Sequence, residues 1–404
     1  MKTWAATKCS PALPHIILQR GRPLSTSPSR IGKQALYTAL ALGEKLVRPA
    51  VDASPQALRS MRNFLLLQYP AALGTAIHAT PVVAALRTAV PQARIVVAAA
   101  GFGLEVFRNN PAIDLLLETP TPLTDLRGAL RLVQGKKLFH GEQYATLVTR
   151  GNERTPITLL ALLAGPSVRV GYTVAPQLFH CPLHFDYASS QIESNLRTVR
   201  ALGHPAPYAE PALFPGDDDT SRARMLLQEA GLLDGAPIAV FVTQTSVTQR
   251  KSWRAERFVA VAKHLRESHG AHILFAGTAG ESVAIDGIRN QLGFASASFA
   301  GKTSIGVLAA VLRRARIGIT LDTGTLHIGR SVGLPMVIIA PAWSPVVEWL
   351  PVDNPRYRIL KNAAMPKQTP DYIIDEVSVD EVNAAADDLL RLHPTSPEAQ
   401  SINS

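Results

Sequence analysis

The sequence predicts an α/β protein built as two doubly wound domains facing a cleft, preceded by a basic N-terminal extension. Three observations lead to that class. From residue 62 onward, short apolar runs alternate with helix-length segments, the spacing of βαβ units and a parallel sheet. The pattern runs once to about residue 210 and restarts after the polar Gly216-Asp217-Asp218-Asp219-Thr220-Ser221, giving two halves of similar size. The run 316–321 then ends in Asp322-Thr323-Gly324 and opens a helix. That turn places a carboxylate, a hydroxyl and unpaired backbone N–H groups at the carboxyl edge of a parallel sheet. Open α/β folds bind ligands there, and a helix N-terminus attracts phosphate. Taken alone, the same segment also fits an ordinary strand–helix turn with Asp or Thr as N-cap.

Residues 1–60 form the extension. It is Pro- and Ser-rich from 11 to 30 and helix-like from 34 to 51. Nine Lys and Arg stand there against only Glu44 and Asp52, so most of the net charge of +10 sits in this tail. The segment lacks the apolar centre of a secretory signal, though its Arg and Ser content resembles an organelle transit peptide in composition. Leu36, Leu40, Leu42, Leu46 and Val47 form an apolar stripe beside Lys33, Lys45 and Arg48, with Gly43 weakening the helix. That pattern suits shallow, peripheral contact with an anionic membrane surface. The plainer expectation is a partly unstructured extension with one helix packed on the body.

The first domain is expected over 61–210. It contains a strand at 64–68, a turn at 69–74, one helical run to Val90, an exit at Pro91, and strands at 94–100, 113–117, 144–149 and 168–171. The second is expected over 211–392, with a helix to Ala230, a strand at 237–242, a helix at 255–268 and a strand at 271–276. A helix from Ser282, a helix at 304–314 and strands at 316–321 and 336–340 follow. Residues 393–404 read as a flexible tail.

Composition excludes several classes. A hydrophobic fraction of 47% supports true cores, and no apolar run approaches the roughly 18 residues of a membrane span. Cys9 and Cys181 are far apart and make neither a disulfide framework nor a metal spacing, so no metal and no cofactor are expected, and a reducing compartment, the cytoplasm, is the default. An aromatic content of 6%, with little excess charge outside the tail, argues against nucleic acid as partner.

Three polar constellations follow predicted strands of the second half. Thr243-Gln-Thr-Ser-Val-Thr-Gln-Arg250-Lys251-Ser-Trp253 brings hydroxyls and two cations before a helix, as a diphosphate requires. The plain alternative is a solvated loop whose Trp253 staples the next helix. Gly277-Thr278-Ala-Gly280-Glu281 offers close backbone approach and a carboxylate for ribose or base, a weak signal by itself. In the third, His327 falls on the first turn after Asp322. The three clusters share one sheet edge, which favours a ligand site over three unrelated turns.

With these motifs in order, the chain resembles the glycosyltransferase family 9 enzymes, the lipopolysaccharide heptosyltransferases, from about Arg62 to Pro351. The marks are the strand–loop–helix from Phe64 through Gly74, Thr75 and His78 to Pro81, then Asn110-Pro-Ala-Ile-Asp114 and Lys251-Ser-Trp253. Gly277–Glu281, Gly301-Lys-Thr-Ser-Ile-Gly306 and Asp322-Thr-Gly-Thr-Leu-His327-Ile-Gly-Arg-Ser-Val-Gly-Leu-Pro335 complete the set. The resemblance implies a GT-B fold of two Rossmann-like domains, the first binding the acceptor and the second a nucleotide-sugar such as ADP-heptose. It implies metal-independent transfer, with inversion, to a glycolipid or polysaccharide, a step of lipopolysaccharide biosynthesis at the inner face of the cytoplasmic membrane. By the same resemblance, Thr243 and Lys251 face donor phosphate and Glu281 the nucleoside. Asp322, Thr323, Gly324 and His327 hold diphosphate and sugar, and Gly74 and Asn152 line the acceptor side.

One departure matters. The family's general base is an Asp directly after that glycine, and this chain has Thr75, whose hydroxyl cannot serve as a base at neutral pH. General base assistance is worth about 10²–10⁴-fold. His78, one helical turn on, is the candidate substitute. Another group is a second possibility, and a third is a protein on the same fold that binds nucleotide-sugar with little or no catalysis. A nucleotide-sugar epimerase is a further reading, weakened because such chemistry needs carboxylates that the first loop lacks.

Overall fold

The computed structural model describes residues 28–47, 50–244, 252–342, 346–362 and 372–398. The chain enters through α1 (Pro28–Val47) and α2 (Pro55–Ser60), then builds β1 (Asn63–Gln68), α3 (Leu73–Ile77), α4 (Thr80–Ala89), β2 (Arg94–Ala99), α5 (Phe102–Phe107) and β3 (Leu115–Glu118). The first half continues with α6 (Leu126–Leu132), α7 (Gly135–Leu138), β4 (Ala145–Val148), α8 (Thr155–Leu163), β5 (Val168–Gly171), β6 (Cys181–Pro182) and α9 (Gln191–Ala201). The second half comprises α10 (Asp217–Glu229), β7 (Ile238–Val242), α11 (Ala255–His269), β8 (His272–Phe275), α12 (Ser282–Arg289), β9 (Ala297–Ser298) and α13 (Ile305–Arg314). It closes with β10 (Ile317–Leu321), α14 (Gly324–Ser331), β11 (Met336–Ile339), α15 (Val346–Trp349), β12 (Tyr357–Leu360) and α16 (Val379–Leu392).

Each half is a parallel six-stranded sheet, in the orders β3-β2-β1-β4-β5-β6 and β12-β11-β10-β7-β8-β9. Both orders are the same: three strands wind outward, and the fourth returns beside the first. The switch points, where ligands bind in such sheets, therefore lie between β1 and β4 and between β7 and β10. Helices cover both faces, so the central strands read as unbroken apolar runs; Phe64, Leu65, Leu66 and Leu67 of β1 are all fully buried. Register is in step, with Leu66 opposite Val97 and Leu147, and Ile319 opposite Phe241 and Val337. One apolar cluster covers the far face of each sheet, and a third runs continuously between the halves, joining Leu66, Val97, Leu226, Val307, Leu326 and Ile338.

Local chemistry accounts for the departures from expectation. The single helical run expected to Val90 is broken at His78–Ala79. Pro81 has no N–H to give the Ile77 carbonyl; the Thr80 hydroxyl donates to it instead, at 2.8 Å. The polar stretch at 216–221 is the start of α10, whose first turn carries Asp217, Asp218 and Asp219 at the positive end of the helix dipole. The helix expected over 34–51 begins at Pro28 and ends at Val47, passing through Gly43. Of its apolar stripe, Leu40 packs on the body with Tyr37, while Leu36, Leu42, Leu46 and Val47 are exposed. Among the described residues, no helix is long and apolar enough to cross a membrane.

Candidate active site

The second sheet brings Thr243, Glu281 and the Asp322–His327 segment, which follow β7, β8 and β10, to one carboxyl edge. After β7, Thr243 is buried and its Oγ1 has no hydrogen-bond partner among the described residues. After β8, Glu281 turns back on its own loop and its Oε2 accepts the Thr278 N–H at 2.7 Å. A side chain at Gly277 would meet that carboxylate at 2.7 Å and would have to displace it. After β10 come Asp322 and then Thr323, the N-cap of α14. Its side chain makes no capping bond, and Thr323 Oγ1 is buried and unpartnered. The first N–H groups of α14, from Gly324 on, receive no cap from the Thr323 side chain and stand at the positive end of its dipole. Lys251 and Arg250 lie outside the described residues. Trp253 staples α11, as its plainer reading required: it packs edge-on against Phe258 at 4.9 Å and donates to the Val377 carbonyl.

The first sheet presents α3 to this edge. Gly74 faces His327 so closely that a Cβ would lie 2.5 Å from His327 Cδ2, and Gly324 packs on Leu73. His78, at the end of α3, meets His327 edge-on with ring centroids 4.5 Å apart and stacks on Trp349 at 5.7 Å. Thr75 is buried with its methyl against Gly151, which also needs a positive φ of 85°. Asn152 is fully buried: its Oδ1 accepts the Tyr69 N–H at 2.6 Å and its Nδ2 donates to Thr149 Oγ1. It clamps the β1 and β4 loops together across the switch point. Asn195 of α9 does the same one layer out, accepting the Arg150 N–H and donating to the His78 carbonyl.

Burial dominates the electrostatics. Desolvation holds His78 well below the ordinary histidine value, and His327 and Arg330 push the same way. Desolvation also lowers His327, to about 4, against the pull of Asp322. Both imidazoles are therefore neutral at pH 7. Neither ring nitrogen of His78, nor Nδ1 of His327, has a partner among the described residues.

Four residues here escaped sequence reasoning. Arg150, after β4, pairs across the cleft with Glu348 of α15 at 3.0 Å, and its guanidinium lies over the Phe185 and Tyr187 rings at 5.2 and 6.0 Å. Arg330 of α14, 2% exposed in its side chain, pairs with Glu210 at 2.6 Å and donates to Tyr208 Oη, bolting the connection between the halves to the donor-side helix. Trp349 closes the histidine cluster. Arg150, Glu348 and Trp349 lie in no motif, and Arg330 lies in the stretch Asp322–Pro335 with no role legible for it; Arg330 and Glu210 are 120 residues apart, and Arg150 and Glu348 198.

The paired doubly wound sheets, with a ligand edge on each side of one cleft, define the GT-B class. Residues 159–367 match Glycosyltransferase family 9 (heptosyltransferase), more than half of the chain, and the protein belongs to that family. Solved structures agree on the fold. The glycosyl transferase family 9 protein from Veillonella parvula is 19% identical, with a TM-score of 0.72 over 82% of this chain and 98% of its own. The E. coli ADP-heptose lps heptosyltransferase II is 17% identical, with a TM-score of 0.66 over 82% and 99%. E. coli heptosyltransferase WaaC with ADP is 14% identical, with a TM-score of 0.60 over 81% and 99%. No curated protein sequence matches the chain.

Proposed function

We propose that the protein is an inverting, metal-independent glycosyltransferase that moves a heptose-class sugar from an ADP-linked donor to an anionic glycolipid or polysaccharide. The observation that carries the donor half is the start of α14, whose N-cap side chain, Thr323, makes no capping bond. Among the described residues the Thr243 and Thr323 hydroxyls are buried without a partner, on the same switch-point edge as the family's Asp322-Thr323-Gly324 and His327. Two hydroxyls and a helix N-terminus fit a diphosphate, which needs several donors. WaaC, similar in fold, has been solved with ADP and with ADP-2-deoxy-2-fluoro heptose, which supports the same donor class here.

In the reaction, an acceptor oxygen bonds to the anomeric carbon as the bond to the diphosphate breaks, and the acceptor proton passes to a base. The α14 N-terminus, with Lys251, stabilises the charge on the leaving diphosphate. His78 is the base candidate: it is neutral at pH 7, both nitrogens are unengaged, and it lies against the donor-side His327. Arg150 with Phe185 and Tyr187 supplies a cation and two aromatic faces on the acceptor side, suited to an anionic saccharide. The exposed Leu42, Leu46 and Val47 of α1 support peripheral contact with the cytoplasmic membrane face.

Calorimetry with ADP-heptose and UDP-sugars tests the donor site, and release of nucleoside diphosphate tests transfer. The expected result is ADP-selective binding that Asp322→Ala abolishes. His78→Ala should lower kcat about 10²–10⁴-fold with little change in donor affinity. Lack of binding by either nucleotide sinks the proposal. Activity gained by Thr75→Asp over a silent wild type assigns the protein to binding alone.

A further inference from the structure

The geometry points to a second site, remote from the cleft, that takes a divalent transition metal of the zinc class. His264 and His269 of α11 and Asp387 of α16 converge there. The Nε2 atoms of both histidines approach the same carboxylate oxygen, Asp387 Oδ1, at 2.9 and 2.7 Å. Their potential ligand atoms all lie within 4.8 Å of one another, and no other group of three or more His, Cys, Asp or Glu among the described residues is so arranged. The side chains are 27%, 28% and 44% exposed, so an ion can enter and water can complete its shell.

Two imidazoles and one carboxylate form a borderline set that suits zinc rather than calcium or magnesium, whose shells are built from oxygen. Tetrahedral zinc with ligands at about 2.0–2.1 Å needs ligand atoms about 3.3 Å apart. The two histidine–Asp387 separations, 2.9 and 2.7 Å, have only to open by about half an ångström. In the metal-free protein each Nε2–H donates to Asp387. On binding, each neutral imidazole moves its proton to Nδ1 and ligates through Nε2. Ser268 Oγ, 3.5 Å from His264 Nδ1, stands ready to accept that N–H.

The position defines the role. α11 runs back from the ligand edge, so His264 and His269 lie toward the amino edge of the second sheet. α16 ends there too, since Arg316, which precedes β10, donates to the Leu390 and His393 carbonyls. The core side of α16 covers the outer face of that sheet through Val382, Ala386 and Leu389, packed with Val261 and Leu265 of α11. A metal bridging the two helices clips the C-terminal helix to its domain and leaves the reaction cleft untouched.

The test uses the untagged full chain, stripped with chelator and titrated with zinc chloride by calorimetry, with thermal melting in parallel. One zinc per chain at micromolar affinity is expected, with a rise of several degrees in Tm that chelator reverses. His264→Gln and Asp387→Asn should each weaken binding at least about tenfold and abolish the shift, while their metal-free melting stays near that of the wild type. No zinc binding by the wild type overturns the site, as does equal binding by both variants.

Discussion

At Gly74 the two halves of the molecule meet with no room for a side chain. The nearest atom to a Cβ there belongs to the His327 ring, which is itself buried against His78 and Trp349 and cannot swing away freely. Gly74→Ala should therefore displace α14 from α3, costing about 1–3 kcal/mol of stability as overpacking does. Donor affinity should fall with it, because His327 and the N-terminus of α14 share one helix. Calorimetric melting together with ADP titration checks this, and an unchanged melt would show that the contact yields without strain. At this scale the sequence marks Gly74, Thr75, His78, Asp322, Thr323, Gly324 and His327, because each sits in a short ordered motif. Arg150, Glu348 and Trp349 carry no such signal, and Arg330, though inside the stretch Asp322–Pro335, shows no role there, since such a residue is defined only by what the fold places beside it. Asn152 is found on the expected loop, but both ends of its amide are engaged within the first domain.

Among the elements, α1 shows how an amphipathic helix divides its surface. Tyr37 packs beneath it with its hydroxyl on Thr155, and Glu44 makes a two-pronged pair with Arg169 at 2.9 and 2.7 Å. The Arg169 side chain is 3% exposed, so loss of Glu44 strands a buried charge. Glu44→Ala should cost about 3 kcal/mol, the lower end for a broken buried pair because Arg169 keeps the Leu178 carbonyl. Leu46→Ala, at a position 87% exposed, should change stability by less than about 0.5 kcal/mol. Urea unfolding of the two variants checks the contrast, and equal costs would mean that Leu46 is covered in solution. The long buried strands β1, β2, β7, β8, β10 and β11 are legible as apolar runs. The edge strands β6 and β9 are not, since two residues are too few for any period. The break between α3 and α4 was available in Pro81 and its restriction on the preceding turn, a local rule that the apolar periodicity of the run obscured.

Across the whole molecule, two neutral histidines sit at the junction of the halves. Both have folded pKa values depressed below 6.5, His327 to about 4. As pH falls through 6.5, the unfolded chain takes up protons at these positions and the folded chain does not, so stability declines. The contribution is complete above pH 6.5 and is lost progressively toward pH 4, at up to about 1.4 kcal/mol per pH unit for each group. Protonation also places like charges on touching rings beside Arg330, so the halves should part before either domain unfolds. The expected outcome is an acid transition below pH 6.5, seen by small-angle scattering as an increase in radius, that is weakened in the His78→Gln, His327→Gln double variant. A transition of unchanged midpoint in that variant would assign the acid response to other titrating groups instead.

The class of fold, the family, and the polar motifs that end the strands of the second sheet were legible in the sequence alone. They rest on local patterns: an apolar run long enough to be a strand, a turn that ends it, and a polar motif at fixed spacing. Tertiary structure alone decided which side chains meet across the cleft, and that Thr75 lies against Gly151 with His78 beside His327. It also brought His264, His269 and Asp387 to a single point. Such contacts join residues far apart in the chain through the packing of two sheets, and no short-range periodicity encodes that packing.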